Sequence, residues 1–223
     1  MPPPRASTLL LRNVPLFESL SEQQRDLLMQ RLRRRSHARG ETIVEAGDPS
    51  QCLYIIISGR AQVVITDGKG RKVILALLRP GDYFGEMSLL DECPRSASVI
   101  AREACEILIL DKHDLVECLR ASPQLALTVA RGLAKRLRAA DRRIGSLALL
   151  DVYGRVAQVL LQEAEDVDGI RVVRGGLSKQ DIARMIGASR ERVSRIMKDL
   201  QTRGYIESRG SSIYLTDRVG KLE

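Results

Sequence analysis

The chain is poor in the residues that build metal centres and catalytic triads. Its four cysteines, Cys52, Cys93, Cys105 and Cys118, are scattered without a CxxC pair. That excludes a zinc ribbon or an iron–sulfur cluster and fits reduced thiols in a cytosol. His37 and His113 are the only histidines, so neither a haem nor a histidine-rich metal site is expected. There is no nucleophile elbow and no supported triad, so the chain does not read as an enzyme. No apolar run approaches the ~18 residues of a membrane span, and Met1–Ala6 carries no apolar core of a secretory signal. A cytoplasmic protein with no membrane partner is the expectation.

What is present is basic and large enough for two domains. The 223 residues carry a net charge of +8 and a pI near 9.6. Two cores of ordinary size fit that length, and the charge points to a polyanion, nucleic acid before membrane.

The organising stretch is Pro123–Leu150. Ala126, Ala130, Leu133, Leu137, Ala140, Ile144 and Leu147 recur in alternating steps of four and three. Such spacing keeps a narrow apolar seam facing a second helix, as in a coiled coil. Ser122 suits the N-cap and Pro123 the first helical position. The helix would be ~40 Å long at 1.5 Å per residue. A helix packed within one subunit is the alternative, because the seam covers fewer than four heptads.

Ahead of the seam, Ser21-Glu22-Gln23-Gln24 forms a capping box followed by Leu27, Leu28 and Leu32 at helical spacing. Arg31–Arg35 reads as the solvated end of that helix, where cations complement the dipole. From Glu41 to Leu110 short β-branched runs take over: Thr42–Val44, Leu53–Ile57, Ala61–Ile65, Lys72–Leu78, Ala97–Ile100 and Glu106–Leu110. Turn signals separate them, which predicts an antiparallel sandwich, barrel or jelly roll. Asp111–Leu119 reads as a short helix feeding the long one.

Phe84-Gly85-Glu86-Met87-Ser88-Leu89-Leu90, with Pro94-Arg95-Ser96-Ala97, interrupts the strands. Gly85 permits close backbone approach, and the turn opening at Glu86 offers free N–H groups to an anion. Arg95 can clamp a phosphate with two donors, Ser96 can add a hydroxyl, and Glu86 can accept from a sugar hydroxyl. The competing reading is a structural Glu86–Arg95 ion pair.

Past the seam, Val152–Glu165 reads as a helix ending near Asp166, followed by a turn at Asp168-Gly169 and a strand at Ile170–Val173. Ser178-Lys179-Gln180-Asp181 is a second capping box whose helix runs through Ile182, Ala183 and Ile186 to Gly187. Ser189 caps the next helix, with Val193, Ile196, Met197 and Leu200 inward. Two such helices make a helix-turn-helix. Lys179, Ser189, Arg190, Glu191, Arg192, Ser194, Arg195 and Lys198 are its candidate DNA contacts, since arginine pairs with guanine and glutamate accepts from cytosine. A hairpin at Ile206–Arg209 and Ser212–Leu215 makes it a winged helix. An αα-corner with a solvated face is the plainer alternative.

Over nearly its whole length the chain resembles the catabolite activator / fumarate–nitrate regulator family of bacterial transcription factors. Phe84–Ala97, Gly145–Ala157 and Leu177–Ile206 carry the likeness. The resemblance implies an α+β chain in three parts. Residues 1–121 would form a cyclic-nucleotide-binding β jelly roll, 122–150 a dimerisation helix, and 151–223 a winged helix-turn-helix. It assigns Gly85, Glu86, Met87, Ser88, Arg95 and Ser96 to the nucleotide, and Leu133, Leu137, Ala140, Ile144 and Leu147 to the seam of a homodimer. It makes Arg190, Glu191 and Arg195 base readers of a palindrome with TGTGA-like half-sites, and adds RNA polymerase as a further partner. Where cAMP-responsive members carry two hydroxyl residues toward the adenine, this sequence has Ala140 and Asp141. A carboxylate suits guanine, and Arg138 and Arg142 stand nearby, so cyclic di-GMP is expected alongside cAMP as a candidate effector. An Arg138–Asp141 surface ion pair is the plain alternative. Two rival readings are a nucleotide-binding module acting on a protein partner and a family member with a degenerate ligand site.

Overall fold

A computed structural model describes Leu11 and residues 14–219; Met1–Ala6, read above for a signal, lie outside them. The chain divides into two compact units, Met1–Arg136 and Leu137–Glu223. The division falls within the long helix rather than at its ends.

In the first unit a 3-10 turn, Pro15–Phe17, precedes α1 (Glu22–Arg31). The capping box is complete: Ser21 Oγ accepts from Gln24 N at 3.2 Å and Gln24 Oε1 from Ser21 N at 2.9 Å. Eight strands follow: β1 (Arg33–His37), β2 (Thr42–Val44), β3 (Cys52–Ser58), β4 (Ala61–Thr66), β5 (Lys72–Leu78), β6 (Tyr83–Phe84), β7 (Ser98–Ala101) and β8 (Cys105–Asp111). They form two antiparallel four-stranded sheets, β1-β8-β3-β6 and β2-β7-β4-β5. The short helix α2 (Glu86–Leu90) interrupts them, and α3 (Lys112–Ala121) leads into α4 (Pro123–Leu149).

Strands β3 and β8 are buried on both faces, which explains their unbroken apolar runs. Tyr54, Ile56, Ile107 and Ile109 point into the sandwich with Val44, Leu78, Phe84 and Val99. Their alternates Leu53, Ile55, Leu108 and Leu110 meet Leu16, Phe17, Leu28, Leu115, Leu125 and Val129 on the helical side. Each large side chain so buried contributes about 1.5–3 kcal/mol.

One expectation fails here. Arg33–His37 is a strand, not a helix end: Leu32 already has ψ 130°, and β1 pairs with β8 from Arg33↔Ile109 to His37↔Cys105. Its arginines find acids along that edge, Arg33 on Asp111 at 2.6 Å and Arg34 on Glu106. Charge on an outer strand also discourages edge-to-edge association. Leu133, assigned to the seam, is half-buried against the first unit's helical core.

Ser122 caps α4 as expected, its Oγ accepting from Leu125 N at 3.4 Å. Leu125 and Val129 dock the start of the helix. Beyond Arg136 its apolar residues are uncovered: Leu137 is 64% exposed, Ile144 66% and Leu147 54%.

The second unit continues with α5 (Val152–Glu163), β9 (Ala164–Val167), β10 (Ile170–Val173), α6 (Lys179–Ile186), α7 (Arg190–Thr202), β11 (Ile206–Arg209) and β12 (Ser212–Leu215). Its sheet runs β11-β12-β10-β9. The expected extension of the first helix to Glu165 is corrected: the chain turns extended at Ala164, ψ 137°. It pairs Ala164–Val167 with β10 across the left-handed Asp168-Gly169 turn.

Candidate functional site

The interrupting segment forms a compact polar cradle inside the first sandwich. Gly85 adopts φ 90° as the entry to α2. A Cβ there would lie 2.5 Å from Arg95 Nη1 and 2.7 Å from the Cys52 carbonyl, so glycine is required twice, by conformation and by space. Arg95 is 5% exposed. It donates from Nη1 to the Gly85 carbonyl and from Nη2 to the Cys52 carbonyl, both at 2.8 Å, and more weakly to Ser50 Oγ at 3.4 Å. Its guanidinium carbon lies 5.4 Å from the Tyr54 ring centroid, and Tyr54 stacks on Phe84. All of Arg95's described partners are neutral oxygens. A buried guanidinium without a counter-anion is costly, and two donors aimed into a fold are suited to a phosphate.

Glu86 is 1% exposed. Its partner is not Arg95, as the ion-pair reading had it, but Arg136 of α4, whose Nη1 donates to Oε1. Glu86 Oε2 has no hydrogen-bond partner among the described residues. Buried and unpartnered, it is a ready acceptor for a hydroxyl. Arg136 also donates to the Tyr83 carbonyl and lies over the Tyr83 ring, 5.2 Å from its centroid. Tyr83 comes this close to the helix because position 132 is glycine; a Cβ there would stand 2.0 Å from Tyr83 Oη. Burial pushes the Tyr83 hydroxyl up, with the Arg136 charge opposing.

Of the ligand residues expected from sequence, Gly85, Glu86, Ser88 and Arg95 come together, with Ser88 4% exposed. Met87 is 46% exposed. Ser96 is exposed and makes no hydrogen bond among the described residues. Arg138, Ala140, Asp141 and Arg142 are all exposed on α4 in the second unit. No ion pair joins Arg138 to Asp141 among the described residues, against the plain alternative for that pair. Sequence reasoning missed Ser50, Tyr83 and Arg136. For Arg136 a signal existed, since Leu125, Val129, Gly132 and Arg136 form a second stripe at helical spacing beside the seam.

The second unit presents a nucleic-acid face. The α6 capping box closes through Ser178 and Asp181, with Asp181 N donating to Ser178 Oγ at 3.1 Å and Ser178 N to Asp181 Oδ2 at 3.0 Å. Gly187 ends α6 at φ 67°, and Ser189 Oγ accepts from Arg192 N at 3.2 Å to open α7. Ile182, Ala183 and Ile186 pack opposite Val193, Met197 and Leu200, all buried. The last carbonyls of α6 are met by guanidinium groups, Met185 O by Arg143 and Ile186 O by Arg155 at 3.1 Å, where cations suit the helix dipole. At the far end of α7, Asp199 accepts from Tyr153 Oη and Arg203 Nε, both at 3.0 Å. Burial and that carboxylate push the Tyr153 hydroxyl up to about 12.

This scaffold leaves Lys179, Arg190, Glu191, Arg192, Arg195 and Lys198 exposed. Lys179 reaches Ser194 Oγ at 3.4 Å. None of the six forms an ion pair among the described residues, so five cations face outward against one carboxylate. Exposed and unpaired cations are what phosphate and base-edge contacts need.

Comparison with known proteins agrees with this division. Residues 34–122 match a cyclic nucleotide-binding domain family, and residues 154–220 match a Crp-like helix-turn-helix domain family. The chain is 34% identical over 195 residues to the cAMP-activated global transcriptional regulator Vfr of Pseudomonas aeruginosa, covering 84% of this chain and 91% of Vfr. It is 37% identical over 202 residues to the cyclic AMP receptor protein of Thermus thermophilus, covering 88% and 89%. Among solved structures, the c-di-GMP responsive global regulator CLP of Xanthomonas campestris aligns with a TM-score of 0.70 at 27% identity, covering 83% of this chain and 94% of CLP. Among the described residues, no helix is long and apolar enough to cross a membrane.

Proposed function

The chain belongs to the Crp/Fnr family of DNA-binding transcription regulators, and from that premise we propose a homodimer whose affinity for a palindromic operator is set by a cyclic nucleotide, cAMP in the first instance. The observation that carries the reading is the cradle's charge pattern. Arg95 is a buried cation held by neutral oxygens, and Glu86 keeps one buried carboxylate oxygen unpartnered beside it. A cyclic phosphate supplies the anion for Arg95, and the ribose 2′-hydroxyl supplies a donor to Glu86. Gly85 keeps the backbone clear for both. The two relatives described above respond to or are named for cAMP, which supports the same messenger.

The apolar positions on α4 that no other described residue covers, Leu137, Ile144 and Leu147, support dimerisation. They recur at heptad spacing and suit a second copy of the same helix. The two readers would then meet successive major grooves, with half-sites about one helical turn apart and Arg190, Glu191 and Arg195 reading TGTGA-like sequence.

Cyclic di-GMP is the second reading, and one observation favours it: Ala140 and Asp141 offer no hydroxyl to an adenine, while a carboxylate accepts from guanine N1–H and N2–H. Titration of the purified protein with cAMP, cGMP and cyclic di-GMP, read out as affinity for a TGTGA-type palindrome, tests both. One messenger should change operator affinity by tenfold or more, a coupling of about 1.4 kcal/mol. Arg95→Ala should abolish that change. If none of the three alters operator affinity, or if calorimetry finds nucleotide affinity unchanged in Arg95→Ala, the reading is wrong.

A further inference from the structure

A cleft of about 660 Å³ in the first unit is lined by Tyr83 and Arg136 but not by Gly85, Glu86 or Arg95 of the cradle. Its walls come from three places: the 3-10 turn with Glu18, the Gly81–Tyr83 loop, and the face of α4 that carries Thr128, Arg131, Gly132, Lys135 and Arg136. The volume is within the range of small-molecule pockets, roughly 300–1,000 Å³.

Arg131 and Lys135 are exposed and neighbours at i,i+4, yet neither makes a hydrogen bond or ion pair among the described residues. Like charges one turn apart repel by a few tenths of a kcal/mol, a cost that a shared dianion relieves. Arg136, the third cation, is already committed to Glu86 and the Tyr83 carbonyl. Glu18 also lines the cleft and has no partner among the described residues, which leaves its carboxylate to accept from hydroxyls. Asp82, the other acid in the lining, is occupied by the Arg79 N–H at 2.8 Å.

We infer that this cleft is a binding site for a small phosphate monoester carrying hydroxyl groups, such as a sugar phosphate. Its phosphate lies between Arg131 and Lys135, and its hydroxyls face Glu18. The site also reports to the cradle, an extension that rests on the cyclic-nucleotide reading above. Tyr83 and Arg136 are a common wall. A dianion drawn into the cleft competes with Glu86 for the Arg136 guanidinium and so weakens cyclic-nucleotide binding, and by linkage the nucleotide weakens the phosphate to the same degree.

Ribose 5-phosphate is the probe, titrated into the full-length protein by calorimetry with inorganic phosphate in parallel. The variants are Arg131→Gln/Lys135→Gln, whose side chains hold nothing together, and Arg95→Ala, which disables the cradle. Wild type and Arg95→Ala should bind ribose 5-phosphate more tightly than inorganic phosphate, and the double variant about tenfold more weakly. Saturating ribose 5-phosphate should weaken cyclic-nucleotide affinity several-fold in wild type and leave it unchanged in the double variant. Absence of binding at about 10 mM probe, binding that survives in the double variant, or binding that vanishes in Arg95→Ala would each overturn the site. Inorganic phosphate binding as well as the sugar phosphate would overturn the role of Glu18. If the probe binds as described and no cyclic nucleotide does, the cleft stands and the regulator reading falls.

Discussion

Gly132→Ala sets two well-known effects against each other. In an exposed helix the change removes backbone freedom from the unfolded chain and stabilises by about 1 kcal/mol. Here the new Cβ would stand 2.0 Å from Tyr83 Oη and 3.2 Å from Cζ, so the ring must tilt away. Overpacking of that kind costs about 1–3 kcal/mol. Tilting also loosens the Arg136–Tyr83 stack, worth about 0.5–1 kcal/mol at a partly exposed site. Repulsion wins, and the expected net loss is about 1 kcal/mol, or 2–4 °C in Tm for a chain of this size. A double-mutant cycle isolates the cause. Tyr83 Oη is buried without a partner, so Tyr83→Phe alone should be neutral or stabilising. In the Tyr83→Phe background the clash with oxygen is gone and only the 3.2 Å approach to Cζ remains, so Gly132→Ala should cost clearly less than in the wild-type background. Thermal unfolding at one fixed protein concentration measures all four proteins. If Gly132→Ala stabilises the wild-type background as an ordinary helical glycine would, the contact between Tyr83 and α4 is misjudged, and with it the placement of Arg136.

Other consequences are checked more simply. Arg190→Ala should cost about 1–3 kcal/mol on operator DNA and relax one half-site position; an equal loss on operator and random DNA would remove its role as a base reader. Ile144→Asp places a charge on the uncovered stripe of α4 and should shift the protein to monomers in analytical ultracentrifugation at micromolar concentration, with operator affinity lost. A dimer that survives the change would place the interface elsewhere. The Cys52 thiol is pushed up to about 11 by burial and by its hydrogen bond to Asp111 at 3.1 Å. A raised thiol pKa means less thiolate, about one part in a thousand at pH 8, so alkylation should be slow there and rise about tenfold per pH unit. Asp111→Asn should speed it. Modification of Cys52 as fast as that of exposed Cys93 would contradict the hydrogen bond to Asp111.

Much of this was legible in local pattern, and what was not depended on partners distant in sequence. Caps are local, so Ser21, Ser122, Ser178 and Ser189 could each be read from a few neighbours. The six β-branched runs became strands with no end shifted by more than one residue. Strand β1 hid because Arg33-Arg34-Arg35 carries no apolar alternation; its acids, Asp111 and Glu106, lie more than seventy residues away. Strand β9 hid because Ala164–Val167 continues a helical composition and is extended only by pairing with β10. At the cradle, Gly85, Glu86 and Arg95 were evident as a cluster, but the identity of Glu86's cation was not. Arg136 sits in a basic run, and only packing of the Leu125–Val129 face selects it from Lys135 and Arg138.

That selection determines what a nucleotide can do. Inverting a two-state equilibrium from 1:99 to 99:1 takes about 5.5 kcal/mol of differential binding. A single hydrogen bond to a charged group supplies about 1.5–3 kcal/mol, so a sugar hydroxyl on Glu86 alone is too weak to throw the switch. Under the proposed function Arg95 must contribute as well, by exchanging neutral carbonyls for a phosphate. The exchange at Glu86 bears on α4 at one place, because Glu86 is tied to the helix through Arg136, the last residue of the first compact unit. The next residue, Leu137, begins the uncovered apolar stripe. Whatever alters the hold of Glu86 on Arg136 therefore acts on the helix beside the stripe that the proposed dimer would use, and the proposed regulation rests on this position rather than on the strength of any one contact.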